Sequence, residues 1–142
     1  MTLQHWAFSF KGRIGRRDFW SGFGVCLMLF LGLSLFNEYY RLPAIVMWVV
    51  LLAILYPTCA IFTKRLHDRN KRGIWILLLI FAMILGLADT SGLDSFWQWA
   101  IGRFLPLFIT MVILLDCGVF VGTDGENYFG QQTENVDYKR LR

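Results

Sequence analysis

The sequence predicts an all-α, polytopic membrane protein with four transmembrane helices and both termini in the cytoplasm. Three observations lead to this prediction: an apolar composition, four separate apolar runs, and an uneven distribution of lysine and arginine between the connecting segments. The chain has 142 residues, of which 56% are hydrophobic, and its mean hydropathy is positive. That content exceeds the usual composition of a soluble domain, so residues 1–142 are read as a single membrane domain.

Four apolar runs predict the transmembrane helices, over residues 19–36, 42–62, 74–91 and 104–121. The first has 18 residues without a charge, which at about 1.5 Å per residue crosses most of a hydrocarbon core about 30 Å thick. The third is marginal, because only Ile74 to Ala88 is apolar and this stretch spans roughly 22 Å. It either reaches the far side with Asp89 to Ser91 in its last turn, or returns as a re-entrant segment.

The distribution of lysine and arginine predicts the orientation. The basic, aromatic N-terminal segment 1–18 holds four of these residues, the basic loop 64–73 holds five, and the tail 122–142 holds three. Only Arg41 and Arg103 fall on the other side. Because cytoplasmic segments of membrane proteins carry the excess of cations, this split places both termini and the basic loop inside the cell. A re-entrant third segment would move the tail outside, which the same rule disfavours.

Three polar segments converge on the predicted cytoplasmic face: residues 12–20, 64–73 and 125–130. In this order, around four apolar runs, they resemble the bacterial inner-membrane family known as domain of unknown function number eight hundred and five. The motif RLHD at residues 65–68 and the motif GENYFG at residues 125–130 carry the likeness, which extends over nearly the whole chain. The resemblance implies a location in the bacterial inner membrane and supplies no reaction.

The sequence departs from the family pattern at a few positions. Lys64 stands where an arginine is usual, Asn70 where a glycine is usual and Arg72 where a small residue is usual, and no proline follows Gly130. Asparagine tolerates a positive φ better than most residues, so Asn70 is an easy replacement for glycine. Lysine lacks the two-pronged guanidinium, so Lys64 cannot make a bidentate contact.

The convergence of arginines predicts a binding site for an anionic phospholipid headgroup or another phosphate-bearing ligand. In this interpretation the anion is held by Arg13, Arg16, Arg65 and Arg69. The site is shaped by Asp68, Glu126 and Asn127. His67 would titrate near neutral pH if a carboxylate of the tail lay beside it. The candidate ligand-binding residues are Arg13, Arg16, Arg65, His67, Asp68, Arg69, Glu126 and Asn127.

The alternative interpretation of the same residues is structural: arginines and acids from three segments tie the cytoplasmic ends of the helices together. If the second helix continues past the membrane, Asp68 lies four residues after Lys64, three after Arg65 and four before Arg72. It would then be surrounded by cations on one helical face. Exposed ion pairs contribute about 1 kcal/mol or less each, so this interpretation requires partial burial.

Asp116 is a possible intramembrane polar site, because an acid inside an apolar run suggests a proton relay or an ion ligand. It lies about 7.5 Å from the end of the predicted fourth helix, and pairing with Lys64 or Arg65 is the favoured interpretation. Pro57, inside the second helix, predicts a kink that the Thr58 hydroxyl can relieve. Asp116 and this kink support an alternative function, a small-solute or ion transport component working as a homo-oligomer.

No catalytic residue, metal site or cofactor is predicted. The pair His67-Asp68 occurs in metal-dependent phosphohydrolases, but such sites need further histidines, and the only other one is His5. Cys26, Cys59 and Cys117 lie in apolar runs without metal-ligand spacing, as reduced packing residues do. The leading prediction is a non-enzymatic membrane protein whose basic face binds anionic phospholipid or a partner protein, with no nucleic-acid binding. The third hypothesis is a membrane enzyme that acts on a lipid phosphate, with His67 as acid or base.

Overall fold

The computed structural model describes residues 3–131, and every element in this range is helical. Helix α1 covers Leu3–Phe8, α2 covers Arg16–Tyr40 and α3 covers Ala44–Asp68. Helix α4 covers Gly73–Leu87 and opens with a 3₁₀ turn at Gly73–Trp75. Helix α5 covers Ser95–Gly118 and contains a π-helical turn at Ala100–Phe104. The predicted all-α class is therefore confirmed.

Three helices are long and apolar enough to cross a membrane: α2, α3 and α5. Helix α4 is shorter, at about 22 Å, and ends at Leu87. The backbone becomes extended at Ala88, and the Asp89 carboxylate accepts a hydrogen bond from the Ser91 N–H at 3.0 Å. This local bond holds Asp89 to Ser91 in a turn, so the expectation that they lengthen the third helix is wrong.

Three helices are longer than the apolar runs that predict them. Helix α2 covers Arg16–Tyr40 where the run covers residues 19–36. Helix α3 continues to Asp68, so the first half of the predicted basic loop is its last turn. Helix α5 begins at Ser95, before the predicted run 104–121, and so includes Trp97 and Trp99. Pro106 has no N–H for the carbonyl of Gly102, and the π turn directly before it accommodates that missing bond.

Pro57 lies within α3, which is continuous from Ala44 to Asp68. The Thr58 hydroxyl donates to the carbonyl oxygen of Ile54 at 2.8 Å, one turn earlier. The expected hydroxyl bond next to the proline is present, and its acceptor is Ile54 rather than the carbonyl of Ala53 that the proline leaves without a donor.

The buried core lies at one end of the bundle, where α2 begins and α3 and α5 end. Helix α2 packs on α3, α4 packs on α5, and α1 lies against α3. At this end Phe19 of α2 meets Phe62 of α3 edge to face, with ring centroids 5.0 Å apart. Towards the opposite end, here called the far end, large apolar side chains such as Met28, Trp48 and Leu107 are exposed. Such an outward apolar surface fits contact with lipid.

Candidate functional site

Asp68, the last residue of α3, is the centre of a buried ionic cluster. Arg65 lies one turn earlier on the same face and donates from Nη1 to Asp68 Oδ2. Arg13, which precedes α2, donates from Nε to Asp68 Oδ1 at 3.1 Å. All three side chains are almost fully buried, with at most 4% of each side chain exposed. We call Arg13, Arg65 and Asp68 the basic-end cluster, and the end of the bundle that contains it the basic end.

Arg65 connects α3 to the end of α5. Its Nε donates to the carbonyl of Cys117 at 2.5 Å, Nη2 to the carbonyl of Phe120 at 2.6 Å and Nη1 to that of Ile14 at 3.3 Å. The last carbonyls of a helix have no partner within the helix, and a cation is favourable beside them. Arg65 therefore caps α5 while it neutralises Asp68.

Arg13 holds the chain that follows α5. It donates from Nη2 to the carbonyl of Thr123 at 2.5 Å and from Nη1 to that of Gly125 at 2.6 Å. Thr123 is also fixed to the end of α3, since its N–H donates to the Asp68 carbonyl at 2.8 Å. A Cβ at Gly122 would overlap the Asp68 carboxylate. Only a glycine at that position lets the segment pass so close.

The GENYFG segment folds back against the RLHD turn. Asn127 Nδ2 donates to the carbonyl of His67 at 2.9 Å and to the Thr123 hydroxyl at 2.8 Å. Its Oδ1 accepts from the Phe129 N–H at 2.9 Å. The rings of Phe129 and His67 stack with centroids 4.0 Å apart, and His67 Nδ1 lies 3.3 Å from the carbonyl of Gly12. The two motifs that carry the family resemblance are therefore in direct contact.

Three predicted site residues lie outside this buried arrangement. Glu126 is exposed, and no hydrogen bond or ion pair among residues 3–131 includes its side chain. Glu126 therefore does not supply the carboxylate that would have to lie beside His67 for it to titrate near neutral pH. Arg16 is exposed and donates to the carbonyl of Val119 at 3.1 Å. Arg69 donates to the carbonyl of Val121 at 2.7 Å and lies over the Phe120 ring.

Asp116 is paired, as expected, but with other partners than Lys64 or Arg65. Its Oδ1 lies 2.8 Å from Lys71 Nζ and 3.2 Å from Arg69 Nη2. Arg65 is occupied by the basic-end cluster, and Lys64 donates to the carbonyl of Trp6. The turn between α3 and α4 places Arg69 and Lys71 next to Asp116 of α5.

That turn depends on a positive φ, because α3 ends at Asp68 and the chain reverses within the next four residues. Asn70 has φ +56°, the conformation inferred for it from the family comparison. Arg72, expected on the same helical face as Asp68, is exposed beyond the end of α3. It therefore does not join the basic-end cluster.

Both motifs lie within the part of the chain that matches a known protein family. Residues 7–131 match the family described as Protein of unknown function (DUF805). This chain belongs to that family. It is 45% identical over 139 residues to the protein named Uncharacterized protein YiiR of Escherichia coli strain K12, with 98% of this chain and 95% of that protein covered, and equally to the YiiR of strain O157:H7. No solved structure matches this chain.

In this DUF805 protein the basic end also contains an open cleft of about 200 Å³. It lies between the start of α2, with Arg16 at its rim, and the segment that follows α5. Arg65 and Asp68 form part of its wall. Its lining residues are Gly15, Arg16, Arg65, Asp68, Val121, Gly122, Thr123 and Asp124.

Sequence reasoning missed several residues that build the site. Gly122 and Thr123 contact Asp68, and Lys71 pairs with Asp116. Ile14, which is fully buried, supplies a carbonyl acceptor to Arg65. Ile14 and Thr123 act through backbone groups, and Gly122 acts because it has no side chain. A glycine between an apolar run and a polar motif, as at position 122, is the one local signal that indicates a close approach.

Proposed function

We propose that this protein is a non-enzymatic, multi-pass protein of the bacterial inner membrane that binds an anionic phospholipid headgroup at its basic end, which faces the cytoplasm. The observation that carries the proposal is the cleft beside the start of α2, with the exposed guanidinium of Arg16 at its rim. The cleft opens at the level where helices would enter the headgroup region.

The buried and exposed arginines have different roles in this proposal. The donors of Arg13 and Arg65 are committed to Asp68 and to backbone carbonyls. Arg65 is therefore a fixed part of the cleft wall, and Arg13, which does not line the cleft, holds Asp68 in place. Arg16 has a single hydrogen bond among the described residues, to Val119, which leaves several of its five N–H donors for a ligand. Arg16 is therefore the group that would bind the phosphate.

The start of α2 adds to the attraction. The N-cap residue Gly15 provides no side-chain hydrogen bond, so the first N–H groups of this 25-residue helix are not capped by it. Such groups and the helix dipole favour an anion. Two acids line the cleft, but Arg13 and Arg65 compensate Asp68, and only Asp124 remains to oppose Arg16.

The proposed topology has four crossings, although α4 is short. The ion pair between Lys71 and Asp116 brings the start of α4 and the end of α5 together at the basic end. Helix α5 is about 36 Å long, so Ser95 lies on the far side of the membrane. The chain between Gly73 and Ser95 then has to cross, and tilt or local thinning of the bilayer accommodates its short helix. Lys11, Arg17 and Arg72 are exposed at the basic end, as the positive-inside rule favours for the cytoplasm.

Fusions to the C-terminus test the orientation. We expect a green fluorescent protein fusion to fluoresce and an alkaline phosphatase fusion to be inactive, because the tail would lie in the cytoplasm. The opposite pattern would place the basic end outside and contradict the proposal.

Lipid retention tests the binding. Wild type and Arg16→Gln are purified in mild detergent and compared by native mass spectrometry after incubation with phosphatidylglycerol or phosphatidylethanolamine. We expect phosphatidylglycerol bound to wild type to fall by about tenfold in the variant, as for the loss of a charge-assisted hydrogen bond. Arg17→Gln is the matched control, since this exposed neighbour points about 100° away around the helix. Equal retention by wild type and Arg16→Gln would reject lipid binding, and retention of a second protein instead would favour a protein partner.

The transport alternative receives less support. Asp116 lies at the basic end in an ion pair, whereas the cavity of about 150 Å³ between α2, α3 and α4 is lined by apolar side chains and Thr58. Neither Asp116 nor Pro57 lines that cavity.

A further inference from the structure

The short helix α4 leaves the first part of α5 without a helical neighbour at the far end. Both helices have one end at the basic end, where Lys71 pairs with Asp116. Helix α4 extends about 22 Å from there and α5 about 36 Å. The first turns of α5 therefore face the connecting segment 88–94 instead of a helix.

A second cleft, of about 430 Å³, occupies this position. Unlike the cavity between α2, α3 and α4, it is lined by hydrogen-bonding side chains. Its lining includes Gly102 and the polar or aromatic residues Thr90, Ser95, Gln98, Trp99 and Arg103. A polar cleft of this size at the end of an apolar bundle has room for a small ligand or a lipid headgroup.

The wall of the cleft is held in place by hydrogen bonds and by close packing. Gln98 Nε2 donates to the carbonyl of Leu93 at 2.8 Å and to that of Ser91 at 3.4 Å, which fixes the connecting segment. A Cβ at Gly102 would lie 3.4 Å from the Thr90 hydroxyl oxygen, so Thr90 packs closely on α5. Gly102 and Arg103 both lie in the π turn, an irregularity that is frequent at functional sites.

Arg103 is the only cation in this lining. Its side chain is exposed, and none of the hydrogen bonds or ion pairs of residues 3–131 includes it. It lies about 22 Å along α5 from Gly118, which is inside a hydrocarbon core about 30 Å thick if the membrane begins near Gly118. Asp89 and Asp94, the acids of the connecting segment, are not part of the lining. A cation at this depth needs a counter-charge, and none of the residues that line the cleft supplies one.

We propose that the far-end cleft binds a phosphate-bearing anion. Arg103 is the charged ligand residue, and the hydroxyls of Thr90 and Ser95 and the indole N–H of Trp99 are neutral donors. The phosphate belongs either to the headgroup of a phospholipid in that leaflet or to a small soluble phosphate, since both present the same anionic oxygens. This site is separate from the one at the basic end.

The test uses the full chain carrying Arg16→Gln, so that the basic-end site does not contribute. The protein is purified free of phospholipid, and short-chain phosphatidylglycerol or inorganic phosphate is titrated by native mass spectrometry and calorimetry. We expect Arg103→Gln to weaken binding by about tenfold or more, and Arg103→Lys to restore part of it. Arg41→Gln is the matched control, because Arg41 is an exposed cation at the same end, after α2.

Each outcome decides the proposal. Loss of phosphatidylglycerol binding in Arg103→Gln but not in Arg41→Gln supports the site with a lipid as ligand. Binding of inorganic phosphate alone, with the same dependence on Arg103, supports the site with a soluble ligand. Equal binding by Arg103→Gln and Arg41→Gln overturns the proposal, as does the absence of binding to the parent protein. Folding of each variant is checked by circular dichroism and gel filtration.

Discussion

Arg13 and Asp68, which are 55 residues apart in the chain, form a buried ion pair in which Arg13 Nη2 lies 3.0 Å from Asp68 Oδ1. The same carboxylate accepts from Arg65, so one negative charge is shared by two guanidinium groups. Both arginines use their remaining donors on backbone carbonyls of the segments around them. The pair therefore joins the N-terminal segment, α3 and the chain after α5 into one unit.

Removal of the negative charge at the centre of this unit should be strongly destabilising. Asp68→Asn keeps the shape of the side chain but leaves two buried guanidinium groups without a counter-ion. We expect a loss of about 3–5 kcal/mol in the free energy of unfolding, measured by denaturant titration in detergent. Glu126→Gln is the control, because its exposed carboxylate has no partner among residues 3–131, and a change within about 0.5 kcal/mol is expected. A similar small change in Asp68→Asn would contradict the central role of Asp68.

Gly122→Ala should disturb the same pair without altering any charge. The added methyl group would overlap the Asp68 carboxylate, and a shift of the backbone or of the ion pair would cost about 1–3 kcal/mol. The apparent melting temperature in detergent measures the effect. Gly92→Ala is the matched control, since a Cβ there would meet nothing within 4 Å. Equal melting temperatures for the two variants would show that the close approach at Gly122 is unimportant.

Asn127 should control the attachment of the GENYFG segment. Asn127→Ala removes the donor to the carbonyl of His67 and the acceptor for the Phe129 N–H, at a cost of about 1–3 kcal/mol. We expect faster hydrogen–deuterium exchange over residues 123–131 and an unchanged rate in the middle of α2. Tyr128→Phe should leave the exchange unaltered, because the exposed Tyr128 hydroxyl makes no hydrogen bond within the described part of the chain. Unchanged exchange in Asn127→Ala would mean that other contacts hold this segment.

The ion pair between Asp116 and Lys71 should be weak and sensitive to salt. The Lys71 side chain is 40% exposed, so solvent screens the attraction. A double-mutant cycle with Asp116→Asn and Lys71→Gln should give a coupling of about 0.5–1 kcal/mol at low salt that declines at high salt. A coupling near zero at low salt would mean that the ion pair between Asp116 and Lys71 does not contribute to stability.

Much of the basic end could be predicted from local sequence. The motifs at residues 65–68 and 125–130 and the arginines at 13 and 16 converge there because successive apolar helices return the chain to the same end of the bundle. The sequence does not decide whether these arginines bind a ligand or connect the ends of the helices to one another. The answer depends on whether each guanidinium is buried, and burial is decided by which backbone carbonyls lie nearby. Arg13 and Arg65 are buried against such carbonyls, whereas Arg16 is exposed beside the cleft.

The sequence by itself determined the all-α class, the apolar helices and the family, because hydropathy and motif order are properties of the chain alone. The resemblance to a family with glycine at position 70 also indicated the positive φ found at Asn70, because asparagine tolerates that conformation better than most residues. Only the tertiary structure decided that Asp116 pairs with Lys71 and Arg69, and that Gly122 touches Asp68. These features depend on contacts between residues distant in the chain or on backbone groups, which residue type does not encode. The far-end cleft arises in the same way, from the difference in length between two neighbouring helices.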